Sequence, residues 1–150
     1  MKYIFIILLF FKFAFSYAFG EVINKIEVKN NNRITKETII TFGGIKLGKN
    51  YSQDDLNDVL LELYSTNFFS DIKFDIQGDV LIVEVQERKI IQQIVINGVK
   101  AEKTKKSILK NLNQREKSPY VSFLAKQDLK IIENSLNSSG FYFNKVDVSL

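Results

Sequence analysis

A weak internal repeat is the feature that most constrains the fold of this 150-residue chain. The stretch LYSTNFF at 63–69 returns at 136–142 as LNSSGFY, and each copy separates a helical pattern from an alternating strand pattern. Further upstream, IEVKN at 26–30 is matched by IVING at 94–98. A repeat of this length is longer than the unit of a solenoid, so it indicates two small sister domains in tandem.

The first 18 residues have the pattern of a secretory signal peptide. Lys2 precedes an apolar run at 3–11, and small residues follow it, with the favoured cleavage site after Ala18. The alternative is an uncleaved anchor, but Lys12 ends the run before the ~20 residues that span a bilayer. We therefore expect an exported chain.

Composition excludes several classes of chemistry. The chain has no cysteine and no histidine, which removes thiol chemistry, the usual near-neutral general base and the commonest metal ligand. Its serines consequently have no histidine to activate them, and the pair Gly43-Gly44 lacks the lysine and serine of a phosphate loop. We expect no catalytic site, no metal and no cofactor; a carboxylate-only enzyme is the alternative.

Charge is divided unevenly along the chain. Residues 19–88 hold 8 Lys/Arg and 12 Asp/Glu, whereas residues 89–150 hold 11 and 5. The basic part could indicate an acidic partner or an anionic membrane surface, although solvated helix faces account for most of these lysines. No nucleic-acid motif occurs, so we expect no nucleic-acid partner.

The first copy, residues 22–88, has the pattern strand, helix, helix, strand, strand. Apolar and polar residues alternate in all three strand segments, and a Gln-Gly-Asp turn separates the last two, which predicts a hairpin. The predicted strands are 22–29, 71–77 and 80–86.

Capping signals place the two helices of the first copy. Thr35 is expected to begin a short helix that ends at Gly43. Ser52 and Asp55 form a near capping box for a longer helix with a continuous apolar stripe. Asn67 is expected to end that helix in the left-handed conformation.

The second copy, residues 89–150, repeats this order. We expect a strand at 90–96, a helix capped by Thr104, a second helix that ends at Gly140, and a strand at 145–150. The counterpart of the last strand would begin after these residues. The second copy is therefore expected to lack it, and the chain to be a piece of a longer protein.

Aromatic residues cluster where each second helix meets the following strand. We expect both clusters to fill the corner between helix and sheet, which is a packing role rather than ligand stacking. The residues are Phe68, Phe69, Phe141, Tyr142 and Phe143.

A three-stranded sheet leaves edges, and a free edge can pair with a strand from another chain. The second of the three strands in sequence order is the candidate edge in each copy. The alternative is that this strand is merely an outer strand that its charges protect from pairing. The candidate partner-binding residues in the first copy are Asp71, Ile72, Lys73, Phe74, Asp75, Ile76 and Gln77.

These motifs resemble the POTRA family. The chain keeps Leu63, Tyr64, Thr66, Phe69 and Asp71 of the family's Leu-Tyr-x-Thr-Gly-x-Phe-x-Asp-Val helix end, with Asn for the glycine and Ile for the valine. Arg-Lys replaces the proline that usually follows the family's acidic strand end. The resemblance implies an α+β fold of tandem β-α-α-β-β POTRA domains, at 22–88 and 89–150, of which the second lacks its last strand.

The likeness is strongest to the first POTRA domains of outer-membrane protein assembly factors. It implies a non-enzymatic chain on the periplasmic side of the outer membrane, before a C-terminal β-barrel that these residues do not include. The implied partners are unfolded outer-membrane proteins, periplasmic chaperones and other subunits of the assembly complex. The alternative is the POTRA module of a two-partner secretion transporter.

Overall fold

The computed structural model describes residues 22–148. The first half, residues 22–88, contains strand β1 (Lys25–Lys29), helices α1 (Lys36–Phe42) and α2 (Gln53–Ser65), and strands β2 (Phe69–Gln77) and β3 (Val80–Glu87). The second half, residues 89–148, contains helices α3 (Glu102–Asn111) and α4 (Ser122–Ser138). The expected signal segment, residues 1–18, lies outside the described residues.

The strands form one mixed sheet in which β3 is the central strand, in the order β1-β3-β2. β1 runs parallel to β3, with Ile26 opposite Leu81, and β2 runs antiparallel to β3, with Ile72 opposite Val85. The turn at 78–79 joins β2 to β3 as the predicted hairpin. The α+β arrangement and the β-α-α-β-β order of the first half are therefore confirmed.

The core of the first half lies between this sheet and its two helices. Alternate residues of β3, namely Leu81, Val83 and Val85, are buried on one face, as the period of a strand requires. On α2 the apolar stripe contributes Val59 and Leu63, which join the same cluster. The alternation seen in the sequence thus marks the face that packs on the helices, although Ile82 on the opposite face of β3 is also buried.

The predicted N-caps of the first half are confirmed. The Thr35 hydroxyl accepts the N–H of Thr38 at the start of α1. At the start of α2 the Ser52 hydroxyl accepts the Asp55 N–H at 3.2 Å, and the Asp55 carboxylate accepts the Ser52 N–H at 2.9 Å. This is a complete capping box, with aspartate in place of the usual glutamate or glutamine.

The second half has a separate and smaller core. Ile108 of α3, Leu136 of α4 and Leu112 between the two helices are buried together, and Ile94 and Ile96 pack partly buried against them. Gly140 ends the second helix with a φ of 89°, in the left-handed conformation that the sequence predicts.

The predicted strands at 90–96 and 145–150 are wrong for the described residues, which contain no strand there. The segment 90–96 pairs with the loop before α4 instead: the Ile91 N–H donates to the Ser118 carbonyl, and the Lys117 N–H donates to the Ile91 carbonyl. In the first half, β3 forms the backbone hydrogen bonds of the sheet with both β1 and β2. Residues 89–148 contain no strand that could pair with both segments as β3 pairs with β1 and β2.

The predicted cap at Thr104 is also wrong. α3 begins at Glu102, its N-cap position is Ala101, and Thr104 lies in its first turn. The N-cap position of α4 is Val121, and neither Ala101 nor Val121 can donate or accept a capping bond through its side chain. The second half therefore starts both helices without the side-chain caps of the first.

The aromatic cluster of the first half packs as predicted, and that of the second half does not. Phe69 is fully buried, and Phe68 lies partly buried with its ring stacked on Phe42 at 5.9 Å. In contrast, Phe141 is 51% exposed and Tyr142 is 75% exposed. Phe143 is fully exposed as well. The difference follows from the sheet, because these rings have no strand ladder to pack against.

The repeat is nevertheless visible in the backbone. Five residues of the first half are left-handed, namely Asn30, Gly44, Gly48, Asn67 and Gly78, and three of them have a left-handed counterpart in the second half. The pairs are Asn30 with Gly98, Gly48 with Lys117, and Asn67 with Gly140. The turns of the two copies thus follow one plan.

Candidate functional site

The candidate edge residues all lie in β2. Within residues 22–148, β2 pairs with β3 alone, so its far side presents backbone N–H and C=O groups that no strand occupies. β2 has nine residues, whereas β1 at the opposite edge has five. The longer edge offers more places for backbone hydrogen bonds to an added strand.

The two faces of β2 differ sharply in polarity. Ile72 is buried in the core, and Phe74 packs partly buried against it. Ile76, the next residue on that face, is 38% exposed near the end of the strand. Asp71, Lys73, Asp75 and Gln77 alternate with these residues and project from the opposite, solvated face.

The polar face of β2 carries several exposed ion pairs and hydrogen bonds between side chains. Lys73 lies 3.6 Å from Asp71 and opposite Glu84 in the sheet register, while Glu84 is 3.8 Å from Lys29 of β1. Gln77 donates to Asp75 at 2.7 Å. Exposed pairs of this kind contribute little stability, and charges on an edge strand discourage indiscriminate pairing.

The pairing of β2 with β3 is irregular at the N-terminal end of β2. The register shifts between Phe69 and Asp71, and the Ser70 hydroxyl donates to the Gln86 carbonyl at 3.1 Å. A bulge increases local twist, so the regular free edge begins at Asp71. This is where the candidate site begins as well.

One of the dense carboxylates of α2, Asp55, has a structural role. Asp55 completes the capping box and lies 2.6 Å from the Lys49 ammonium. The hydrogen bond from Lys49, and then those from the Ser52 hydroxyl and N–H, lower the pKa of Asp55 well below its usual range. No group of three or more acidic side chains in residues 22–148 is placed to hold a metal ion.

Comparison with known proteins shows which proteins this chain resembles. Residues 89–150 match the POTRA family profile, described as "Surface antigen variable number repeat". The chain is 27% identical over 88 residues to the outer membrane protein assembly factor BamA of Neorickettsia risticii, and 29% identical over 78 residues to BamA of Neisseria meningitidis serogroup B. Residues 89–150 thus carry the sequence pattern of a POTRA domain. These matches cover 59% and 52% of this chain, but only 12% and 10% of the two relatives.

Solved POTRA structures share the fold. POTRA1-2 of the periplasmic domain of Omp85 from Anabaena aligns with a TM-score of 0.50 over 85% of this chain and 86% of that one, at 13% identity. The N-terminal domain of Omp85 from Thermosynechococcus elongatus aligns with a TM-score of 0.55 over 85% of this chain and 56% of that one, at 11% identity. At such identities the likeness concerns the fold alone.

Sequence reasoning missed a buried carboxylate at the end of the central strand β3. The Glu87 side chain is only 5% exposed, and its Oε1 accepts the backbone N–H groups of Asn32, Arg33 and Ile34 at 2.9 to 3.0 Å. The Arg33 guanidinium donates to Glu87 and, at 2.6 Å, to the Arg88 carbonyl. Glu87 thus binds the β1–α1 loop to the end of β3.

The pKa of Glu87 reflects this environment. Burial raises the pKa, but the hydrogen bonds from the N–H groups of Ile34, Asn32 and Arg33, together with the Arg33 charge, outweigh it and lower the pKa below the ordinary value. The signal available in the sequence was an acidic residue at the end of a strand that must lie beside the Asn-Asn-Arg turn.

A second missed carboxylate, Asp128, binds a loop in the POTRA segment 89–148. Asp128 is 5% exposed, and its two oxygens accept the backbone N–H groups of Asn113 and Gln114 at 2.6 and 2.9 Å. Gln114 is buried too, and its side chain accepts the Val121 N–H at 3.0 Å. An acidic residue on the apolar stripe of a predicted helix was the available signal, because a buried carboxylate needs donors.

Proposed function

We propose that this chain is the periplasmic POTRA region of an outer-membrane protein assembly factor. It would receive extended segments of unfolded outer-membrane proteins, directly or from periplasmic chaperones, and pass them to a membrane β-barrel for insertion. The proposal includes export by residues 1–18, one POTRA domain at 22–88 and another at 89–150, and contacts with other subunits of the assembly complex.

The relatives support the cellular part of this proposal. Each of the matched relatives carries the name outer membrane protein assembly factor BamA. The solved neighbour from Anabaena is named as part of the periplasmic domain of Omp85. Residues 22–148 contain no helix that is both long and apolar enough to cross a membrane. A binding role without catalysis fits the candidate site, where Asp71 pairs with Lys73 and Asp75 accepts a hydrogen bond from Gln77.

The free edge of β2 is the observation that carries the molecular part. An extended client segment could add to β2 through backbone hydrogen bonds, which depend little on client sequence. This suits a factor that must accept many different clients. Pairing would begin at Asp71, after the bulge, and run to Gln77.

The two faces of β2 set a pattern for the client. On one face of the added strand, side chains would continue the apolar row of Ile72, Phe74 and Ile76, and on the other they would lie beside Asp71, Lys73 and Asp75. The best client therefore alternates apolar and polar residues. Strands of membrane β-barrels have this alternation.

A photocrosslinking scan tests strand addition. A photoreactive residue is placed at Asp71, Lys73 or Asp75, and the chain is illuminated with a peptide that has the alternating pattern of a barrel strand. We expect crosslinks at these β2 positions. A peptide of the same composition with the alternation scrambled should crosslink at least several-fold less.

Matched control positions lie elsewhere in the first half. Lys25 and Glu27 occupy the solvated face of β1, and Asp54 lies in the first turn of α2. Crosslinks of equal yield at these positions would contradict strand addition to β2. Depletion of the chain from cells that continue to insert outer-membrane proteins normally would contradict the assembly role itself.

A further inference from the structure

A stripe of lysines lies along the exposed face of α3. Its members are Lys103, Lys106 and Lys110, and all three are exposed. At 100° per residue they fall within an arc of about 60°, and Ile108, the buried residue of the helix, lies on the opposite side. The stripe therefore projects directly away from the core of the second half.

Carboxylates do not neutralise this stripe in the described part of the chain. The ion pair of α3 joins Lys105 to Glu102 at 3.0 Å, and Lys105 is off the stripe. Within residues 22–148, the stripe lysines make no ion pair. The first half differs, because Lys25, Lys29, Lys49 and Lys73 each lie within 4 Å of a carboxylate.

A polar groove runs beside the stripe, between α3 and α4. It is lined by uncharged side chains that include Ser107, Asn111, Asn134, Ser135 and Ser138. The Ser135 and Ser138 hydroxyls donate to the helix carbonyls one turn earlier, at 2.8 and 2.9 Å, so their oxygens remain as acceptors. Such a groove can accept hydrogen bonds from the hydroxyl groups of a polyol.

We propose that this face of the second half, the lysine stripe and the adjoining groove, binds the surface of an anionic phospholipid membrane. The lysines would contact lipid phosphates, and the groove would accept hydrogen bonds from headgroup hydroxyls such as those of phosphatidylglycerol. The surface and the partner both differ from those of strand addition to β2, so either proposal can fail without the other.

The composition of the stripe favours a membrane over an acidic protein. Protein interfaces are depleted in lysine and depend on aromatic and arginine anchors, and the stripe has neither. Lysine is a hydrated point charge on a flexible stem, which suits a diffuse layer of phosphates. Basic residues near an anionic bilayer each contribute about a factor of five in affinity.

The absence of cysteine allows a site-specific test in the full chain. An environment-sensitive fluorophore is attached at Leu109→Cys, which is exposed and lies beside the stripe on the side away from the groove, and vesicles are titrated. We expect an emission shift with vesicles that contain phosphatidylglycerol, no shift with neutral phosphatidylcholine vesicles, and reversal in about 1 M salt, where the Debye length is about 3 Å. A fluorophore at Thr41→Cys in α1 is the control, because it would shift as well if the chain bound the membrane non-specifically rather than through the stripe.

Two charge-matched variants decide the result. K103Q/K106Q/K110Q should weaken the response on the order of 100-fold, from about a factor of five per lysine. K25Q/K29Q/K36Q removes the same charge from the first half and should leave the response within about twofold. Equal losses in both variants, an equal shift at position 41, or no response to anionic vesicles would overturn the proposal. If the chain did not respond to anionic vesicles but bound an acidic protein, the partner of this face would be a protein.

Discussion

The two halves of the chain share three left-handed turns but differ in their degree of packing. Both place left-handed residues at equivalent positions, and both bond the segment before their first apolar stretch to the loop between their helices, through Ile23 and Ile91. Only the first half adds a strand ladder to this plan within the described residues. Local backbone signals therefore operate in each copy independently, whereas the burial of large side chains depends on the sheet.

The two halves also differ in how the N-termini of their helices are capped. Thr35 and Ser52 bond the first turns of α1 and α2, while Ala101 and Val121 leave the first turns of α3 and α4 without side-chain caps. The second half has instead a buried carboxylate on α4, Asp128, which accepts the N–H groups of Asn113 and Gln114 in the helix–helix loop. The backbone N–H groups near the helices therefore find their acceptors in different residues in the two copies.

The largest expected difference between the halves concerns two equivalent aromatic residues. Phe69 is fully buried and Tyr142, its counterpart in the repeat, is 75% exposed. Phe69→Ala should lower the free energy of unfolding of the first half by about 3–5 kcal/mol, because it leaves a cavity in the core. Tyr142→Ala should change the stability of the second half by less than about 0.5 kcal/mol. Amide exchange at Leu81 and Ile108 measures the two halves separately, and similar costs in both would contradict the comparison.

The next effect concerns the buried carboxylate of the first half and depends on pH. The pKa of Glu87 is lower in the folded chain than its ordinary value, so its stabilisation is fully present above the ordinary value and is lost as the pH falls through the folded value. Glu87→Gln should cost about 1.5–3 kcal/mol at neutral pH, because three backbone N–H groups lose a charged acceptor.

Urea unfolding at several pH values checks this prediction. The wild-type first half should lose stability in acid, and Glu87→Gln should lose much of that pH dependence. Glu84→Gln is the matched control, since Glu84 is 43% exposed in a loose pair with Lys29. An equal effect of the two substitutions at neutral pH would show that the contacts of Glu87 to the β1–α1 loop add no stability.

A smaller effect is expected at the helix starts. Ala101 has extended backbone, with φ −78° and ψ 110°, which suits an N-cap residue. Ala101→Ser should raise the stability of the second half by about 1 kcal/mol, and Ser52→Ala should lower that of the first half by a similar amount. Thermal unfolding followed by circular dichroism measures both. If Ala101→Ser is neutral, its backbone groups already have partners of equal strength.

Sequence reasoning succeeded where the signal is local. The capping box at Ser52 and the left-handed ends at Asn67 and Gly140 depend on residues that are adjacent in the chain, and all three were predicted correctly. The edge position of β2 also follows from the order of elements, although its use for binding remains a prediction. A short alternating segment carries the signal of a strand whether or not a partner strand is present, which is why the segment 90–96 was assigned wrongly.

The buried carboxylates were missed for a different physical reason. Glu87 and Asp128 each accept N–H groups from a loop that lies 14 to 55 positions away in sequence. Whether an acidic residue is solvated or bound to such a loop depends on tertiary packing, which periodicity does not encode. Only the cost of burying a carboxylate without donors, as for Asp128 on an apolar helix face, gives a hint in advance.

The smallest predicted effect lies in the equivalent turns at Gly48 and Lys117. Both are left-handed, with φ of 76° and 63°, and side chains rarely adopt this conformation without cost. Lys117→Gly should therefore stabilise the second half by about 0.5–1 kcal/mol relative to Lys117→Ala, which removes the same amine contact with Gln92 but keeps a Cβ. Gly48→Ala should have the opposite sign in the first half, where a Cβ would meet no atom within 4 Å, so that only the backbone conformation matters. Chemical denaturation of the three variants measures these differences, and a stabilising Gly48→Ala would break the equivalence of the two turns.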